Sequence, residues 1–242
     1  MEKIVSAADR KAIFHLARPL WLKGVSRLVL ALGFAVWTFP AWSADLTELV
    51  GKAEKGEAEA QLGLAEKYRK GEDLPKSDAE AAKWYRRAAE QGAVDAQASL
   101  GRMYREGEGV PKDDAEAAKW LGKAAEQGAA DAQVSLGKMY RQGDGVPKND
   151  AAAAKWLGKA AEQGVAEAQT DLALMYANGE GVPRNYGKAV EWYRKAAEQG
   201  DARAQHGLGI MYHNGFGVKR DDAEAQRWFR KAADQGYYKE GP

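Results

Sequence analysis

A tryptophan returns every 36 residues, at Trp84, Trp120, Trp156, Trp192 and Trp228. A tyrosine keeps the same step at Tyr68, Tyr104, Tyr140, Tyr176 and Tyr212. A Gln-Gly pair closes each row at Gln91-Gly92, Gln127-Gly128, Gln163-Gly164, Gln199-Gly200 and Gln235-Gly236. A fixed period of this length marks a solenoid, in which each unit packs only on its neighbours. Such an array needs a thin core made many times over. The composition agrees: the chain is 45% hydrophobic, and alanine supplies much of that.

Each row reads as two helices. In the row 93–128 the first spans roughly Asp95 to Arg105 and the second Asp114 to Glu126. Between them Gly107 can adopt the left-handed conformation that ends a helix, and Pro111 cannot continue one. Ser77, Asp113, Asn149, Asn185 and Asp221 stand where the second helices begin, and all three residue types are strong N-caps. Glu80, Glu116 and Glu224, three residues on, predict a reciprocal capping box in three rows. Ala117, Trp120, Leu121 and Ala124 share one helix face. The tryptophans are accordingly expected to fill the core. The fold class is all-α, a solenoid of antiparallel helix pairs in 36-residue repeats.

The rows run 57–92, 93–128, 129–164, 165–200 and 201–236. Residues 45–56 read as the back half of a degenerate earlier row, and 237–242 as a tail. Residues 1–44 do not repeat. Lys3, Arg10, Lys11, Arg18, Lys23 and Arg27 form a basic run, followed by a stretch without charge from Leu28 to Ala44. A basic start, a short apolar stretch and small residues at its end read as a secretory signal. Cleavage after Ser43 places Ala41 and Ser43 at the two small positions. Alternatively the segment stays as an anchor, with residues 28–44 the one membrane-bound part and the repeats on the far side. The expected location is therefore exported, periplasmic or secreted, or anchored to the inner membrane and facing the periplasm.

Charge and chemistry exclude several classes. The chain has 36 basic and 35 acidic residues, a net charge of +1. Residues 1–44 hold six basic and two acidic residues, so without them the balance is 30 against 33, or −3. No basic excess favours a nucleic-acid partner. There is no cysteine, which rules out disulfides and thiolate metal sites. Ser135-Leu136-Gly137-Lys138 matches a serine-acylase signature, but Ser99-Leu100-Gly101-Arg102 fills the same columns and no partner motif accompanies it. His206 and His213 share a helix face about 10 Å apart along the axis, too far to grip one metal alone. Glu108, Asp144 and Glu180 recur as turn residues. No catalytic residue, cofactor or metal is expected.

The rows follow the pattern A-x-A-x-x-x-L-G-x-M-Y-x-x-G-x-G-V-P-x-D-x-x-x-A-x-x-W-x-x-K-A-A-E-Q-G, nearly complete in 94–128, 130–164 and 166–200. This resembles the Sel-1-like repeat, a subclass of the tetratricopeptide superfamily. The first row departs with Asp73-Leu74 in place of Gly-Val, and the last with Lys219 in place of proline, as terminal rows do. The resemblance implies a right-handed superhelix acting as an adaptor or scaffold that binds a protein or peptide. Bacterial members are often exported and act in envelope assembly, signalling, secretion or host contact. A cysteine-rich branch is associated with β-lactam binding and hydrolysis, so the alternative function is an exported hydrolase or β-lactam-binding protein of that type. This chain lacks the branch's cysteines.

Columns that stay fixed serve the stacking, and columns that vary are free to choose a partner. On the first helices the varying columns are Leu62/Ala98/Val134/Thr170/His206, Glu66/Arg102/Lys138/Leu174/Ile210 and Arg69/Arg105/Arg141/Ala177/His213. Spacings of four and three put them on one face. In the family this resembles, that face lines the concave groove. Arg102, Arg105, Lys138 and Arg141 make its middle basic, and Leu174, Ala177 and Ile210 make one end apolar. The expected ligand is an extended or helical protein segment, acidic at one end and apolar at the other. The last row, with Trp228 and Phe229, is expected to present an apolar end to a partner or a second copy.

Overall fold

The computed structural model describes residues 44–237. The expectations on residues 1–43, signal or anchor, lie outside the described residues, as does most of the tail. The described residues form eleven α-helices and no strand. We number them α1 (Ala44–Glu54), α2 (Ala58–Lys70), α3 (Asp78–Glu90), α4 (Val94–Glu106), α5 (Asp114–Glu126), α6 (Ala130–Gln142), α7 (Asp150–Glu162), α8 (Ala166–Asn178), α9 (Tyr186–Glu198), α10 (Ala202–Asn214) and α11 (Asp222–Asp234). Each packs mainly on the helices before and after it in sequence, as an array of stacked pairs should. The expected bounds in the row 93–128 hold to within a residue.

The sequence signals at helix ends act as read, with one correction. Ser77, Asp113, Asn149, Asn185 and Asp221 each accept a hydrogen bond from a first-turn backbone N–H of the second helix. The reciprocal half of the capping box is absent. The cap residue's own N–H donates instead to the tyrosine carbonyl of the first helix, from Ser77 to Tyr68 at 2.9 Å and from Asp113 to Tyr104 at 2.9 Å. The carboxylates this releases pair with cations three residues on: Glu80 with Lys83, Glu116 with Lys119 and Glu224 with Arg227. The repeated tyrosine thus locks the pair of helices through its backbone.

Alanine makes up about half of the buried hydrophobic residues, with three to five larger apolar side chains in each row. Trp84, Trp120 and Trp228 are buried, while Trp156 and Trp192 are half-buried. A cation lies over each ring, from Arg87 over Trp84 at 4.4 Å to Lys231 over Trp228 at 4.0 Å. A second fixed column holds the rows together. Gln97 is buried, and its amide donates to the Ala89 carbonyl of the preceding helix at 3.1 Å. Its own oxygen accepts from Gln127, at the end of the next helix, at 2.8 Å. Gln61, Gln133, Gln169 and Gln205 repeat both bonds. Each such glutamine joins three helices and leaves no buried amide unsatisfied.

The loops require glycine at one position in four of the rows. Gly109 has φ +68°, and a Cβ there would stand 2.1 Å from the Asp78 carbonyl of the preceding second helix. The following rows place Gly145, Gly181 and Gly217 in the same way. Only glycine tolerates both the left-handed backbone and the close approach. Asp73, in the first row, keeps the positive φ at 61°. Its carboxylate pairs with Lys67 at 2.6 Å.

The last row does not end on an open apolar face. Gln226 is exposed where Ala82, Ala118, Ala154 and Val190 are buried in the earlier rows. Tyr237 stands edge-on to His206 at 5.6 Å, and Trp228 is 9% exposed. A polar residue at the position that would receive another row corrects the expected apolar end.

Candidate functional site

Residues of two of the varying columns line two clefts. The larger, about 590 Å³, lies among α2, α4 and α6. Leu62, Glu66, Ala98 and Arg102 line it, with Asp95, Ser99, Asp131 and Ser135. The smaller, about 290 Å³, lies between α8 and α10. Thr170, Leu174, His206 and Ile210 line it, with Asp171, Tyr193, Arg203 and Tyr237. Leu174 is 38% exposed, one of two large apolar side chains to be so among the described residues.

The other columns do not all reach a cleft. Val134 is buried in the core with Ala153 and Leu157, so it offers no surface to a ligand. Its column is buried only here and at Thr170, while Leu62, Ala98 and His206 are half-buried. Thr170 is also buried, and its hydroxyl donates to the Ala166 carbonyl at 3.0 Å. Ala177 is half-buried against the core of the last rows. His213 turns to Asp222 at 2.8 Å and not to His206. Arg220 and His213 hold the Asp222 carboxyl below its usual range. Arg69 is tied to Glu66 at 3.0 Å.

The basic middle is smaller than the sequence implies. Lys138 pairs with Glu167 at 2.5 Å, and Arg141 lies 3.9 Å from Asp171. Asp171 is buried and is also 3.3 Å from Arg203. Among the described residues, the Arg102 guanidinium donates to the Ser99 hydroxyl at 3.3 Å and pairs with no carboxylate, and Arg105 pairs only with its neighbour Glu106 at 3.8 Å. Two of the four cations are therefore spent within the chain and two are free of a carboxylate on another helix. Burial would raise the Glu66 carboxyl, but hydrogen bonds from Tyr85 and Arg69 hold it below the usual carboxylate range. Burial and that same carboxylate push the Tyr85 hydroxyl up to about 12.

Sequence reasoning missed Asp171, Arg203, Asp95 and Asp131. The signal was available as a spacing. Lys138 and Glu167 are 29 residues apart, and the same step joins Arg102 to Asp131, Glu66 to Asp95 and Leu174 to Arg203. At the last junction the lysine has become leucine, and Arg203 turns to Asp171 instead. Ser135 has no basic neighbour to activate it, because the Lys138 ammonium is bound by Glu167. Among the described residues no cluster of His, Asp and Glu could hold a metal ion. Nor is any helix there long and apolar enough to cross a membrane.

Stacked helix pairs with a fixed inner skeleton and a varying first-helix face define a helical-repeat solenoid. The chain belongs to the Sel1 repeat family, whose model matches residues 58–92, 94–128, 130–165, 166–201 and 202–237. A protective antigen of uropathogenic Escherichia coli displaying an SLR fold is 41% identical over 79% of this chain, with a TM-score of 0.75. This chain spans 41% of that antigen's length. A Sel1 repeat protein from Oxalobacter formigenes is 36% identical, with a TM-score of 0.74 and 78% of both chains covered. A search of curated proteins finds no match. Sel1 repeat proteins generally serve as protein-interaction scaffolds and are generally not enzymes.

Proposed function

We propose that this chain is a non-enzymatic scaffold that holds an extended or helical protein segment along its first helices, outside the cytoplasm in a bacterial envelope. The observation that carries the reading is the 590 Å³ cleft, where Arg102, Asp95 and Asp131 have no ion-pair partner among the described residues. A guanidinium suits a carboxylate, which it can grip with two parallel bonds. Asp95 and Asp131 accept N–H groups from the same segment. Its other end is apolar and meets Leu174 and Ile210. The envelope location rests on the basic run, the apolar stretch and the small residues Ala41 and Ser43.

Capture from an envelope extract tests the groove. Reversing Arg102, Arg105, Lys138 and Arg141 to Glu abolishes capture of the native partner while circular dichroism stays helical; unchanged capture by the folded variant refutes the reading. Fractionation of cells carrying a C-terminally tagged chain tests the location. The tag is expected outside the cytoplasm, on a chain beginning at Ala44 or on the full chain in the membrane. A tag confined to the cytoplasm contradicts it.

A further inference from the structure

The junctions between one row's second helix and the next row's first helix are not alike. At the first, the Arg86 guanidinium donates to the Tyr104 hydroxyl. At the fourth, Arg194 donates to Tyr212 at 3.0 Å. At the second and third the arginine is Gly122 and Gly158. A Cβ at either would meet nothing within 4 Å. Packing therefore does not require glycine there, and glycine inside a helix costs about 1 kcal/mol relative to alanine. What the third junction gains is an opening of about 320 Å³, lined by Gly158, Tyr176, Trp192, Val182, Leu172, Lys155 and Glu162. This is at the lower end of the size range for ligand pockets.

The charge at its rim differs from the other rows too. In rows one, two and five the cation at this place is held by a carboxylate three residues earlier: Lys83 by Glu80, Lys119 by Glu116 and Arg227 by Glu224. In row three that carboxylate is replaced by Ala152, and Lys155 has no ion-pair partner among the described residues. In row four the two positions are reversed in sequence, Lys188 standing for the carboxylate and Glu191 for the cation, and the Lys188 ammonium lies over the Tyr176 ring at 5.2 Å. Lys155 and Glu162 line the aromatic and aliphatic opening, and Lys188 lies over its Tyr176 wall with Glu191 three residues on along α9.

We propose that the opening between α7 and α9 is a second docking site. It takes a large apolar side chain, aromatic or long aliphatic, from a protein partner whose chain carries a carboxylate beside it for Lys155 and Lys188. Aromatic-walled pockets that bury such an anchor concentrate the binding energy of an interface. The site is separate from the groove: Tyr176 and Leu174 are two residues apart on α8, about 200° around the helix. It stands or falls independently of the groove reading.

A random-peptide phage library panned on the full chain is the probe. Enriched peptides are expected to pair a large apolar residue with Asp or Glu. The synthetic consensus peptide should bind Gly158→Arg at least about tenfold more weakly than the parent chain. An arginine at this position is native to the chain at Arg86 and Arg194, so Gly158→Arg folds, with a Tm no lower than the parent's. The pair Lys155→Glu and Lys188→Glu should weaken the peptide about tenfold as well, while Arg102→Glu with Arg105→Glu leaves it unchanged. Enrichment without an acidic-apolar pattern overturns the proposal, as does equal binding to Gly158→Arg. Loss of binding in the groove variant alone also overturns it and assigns the peptide to the first-helix face.

Discussion

In the N-terminal half of the first-helix face, Arg102, Arg105, Asp95 and Asp131 have no ion-pair partner on another helix among the described residues. In the C-terminal half, Lys138 pairs with Glu167, and Arg141 and Arg203 lie 3.9 and 3.3 Å from Asp171, across three rows. The helices and columns are the same, and only the residues in the varying positions differ. Charge that is paired within the chain stiffens the array, and charge left unpaired is available to a partner. The family pattern builds both halves alike, so the difference in function must come from the columns the pattern leaves open.

The largest effect expected on stability comes from Asp171. Asp171→Ala removes a buried carboxylate shared by Arg141 and Arg203, and should cost about 2–3 kcal/mol in chemical denaturation. Ser99→Ala and Ser135→Ala at the same column should each change stability by less than about 0.5 kcal/mol. Equal costs at the three positions would erase the distinction between the halves.

The skeleton should behave alike on both sides. Gln97→Ala and Gln169→Ala each remove a buried amide with two hydrogen bonds and should each cost about 2 kcal/mol. The two melting curves are expected to superimpose. A large difference would mean that the rows are not equivalent units.

The smallest effect is alkaline. Burial and Glu66 push Tyr85 up to about 12 in the first half, and burial and Asp171 push Tyr193 up to about 12 in the second. In the unfolded chain each ionises near about pH 10. Stability is therefore complete below pH 10 and falls as pH rises from about 10 to 12, because the unfolded state releases its proton first. Tyr85→Phe and Tyr193→Phe should each flatten that fall in a pH series of melts.

What repeats was legible from the sequence, and what bridges rows was not. The Trp, Tyr and cap columns announce themselves because the period superimposes them. The buried glutamines at Gln97 and its counterparts share the period, but an amide reads as surface until its two partners are seen. Val134 and Thr170 read as surface because their columns vary. Variation in a column does not report exposure: this one passes from half-buried Leu62 and Ala98 through buried Val134 and Thr170 to half-buried His206. The pairing of Lys138 with Glu167 needed the superposition of two different columns from adjacent rows, which a single-column comparison leaves out. The cleft at Gly158 was missed for the opposite reason, since an absent side chain leaves no pattern to follow.

Partner affinity in two double variants tests the central claim most directly. Arg102→Ala with Arg105→Ala should weaken binding by at least about tenfold, or 1.4 kcal/mol, and leave the Tm where it was. Lys138→Ala with Arg141→Ala should lower the Tm and keep affinity within about threefold. The reverse order, or two variants that lose binding equally, would contradict the assignment of partner choice to the unpaired half of the groove.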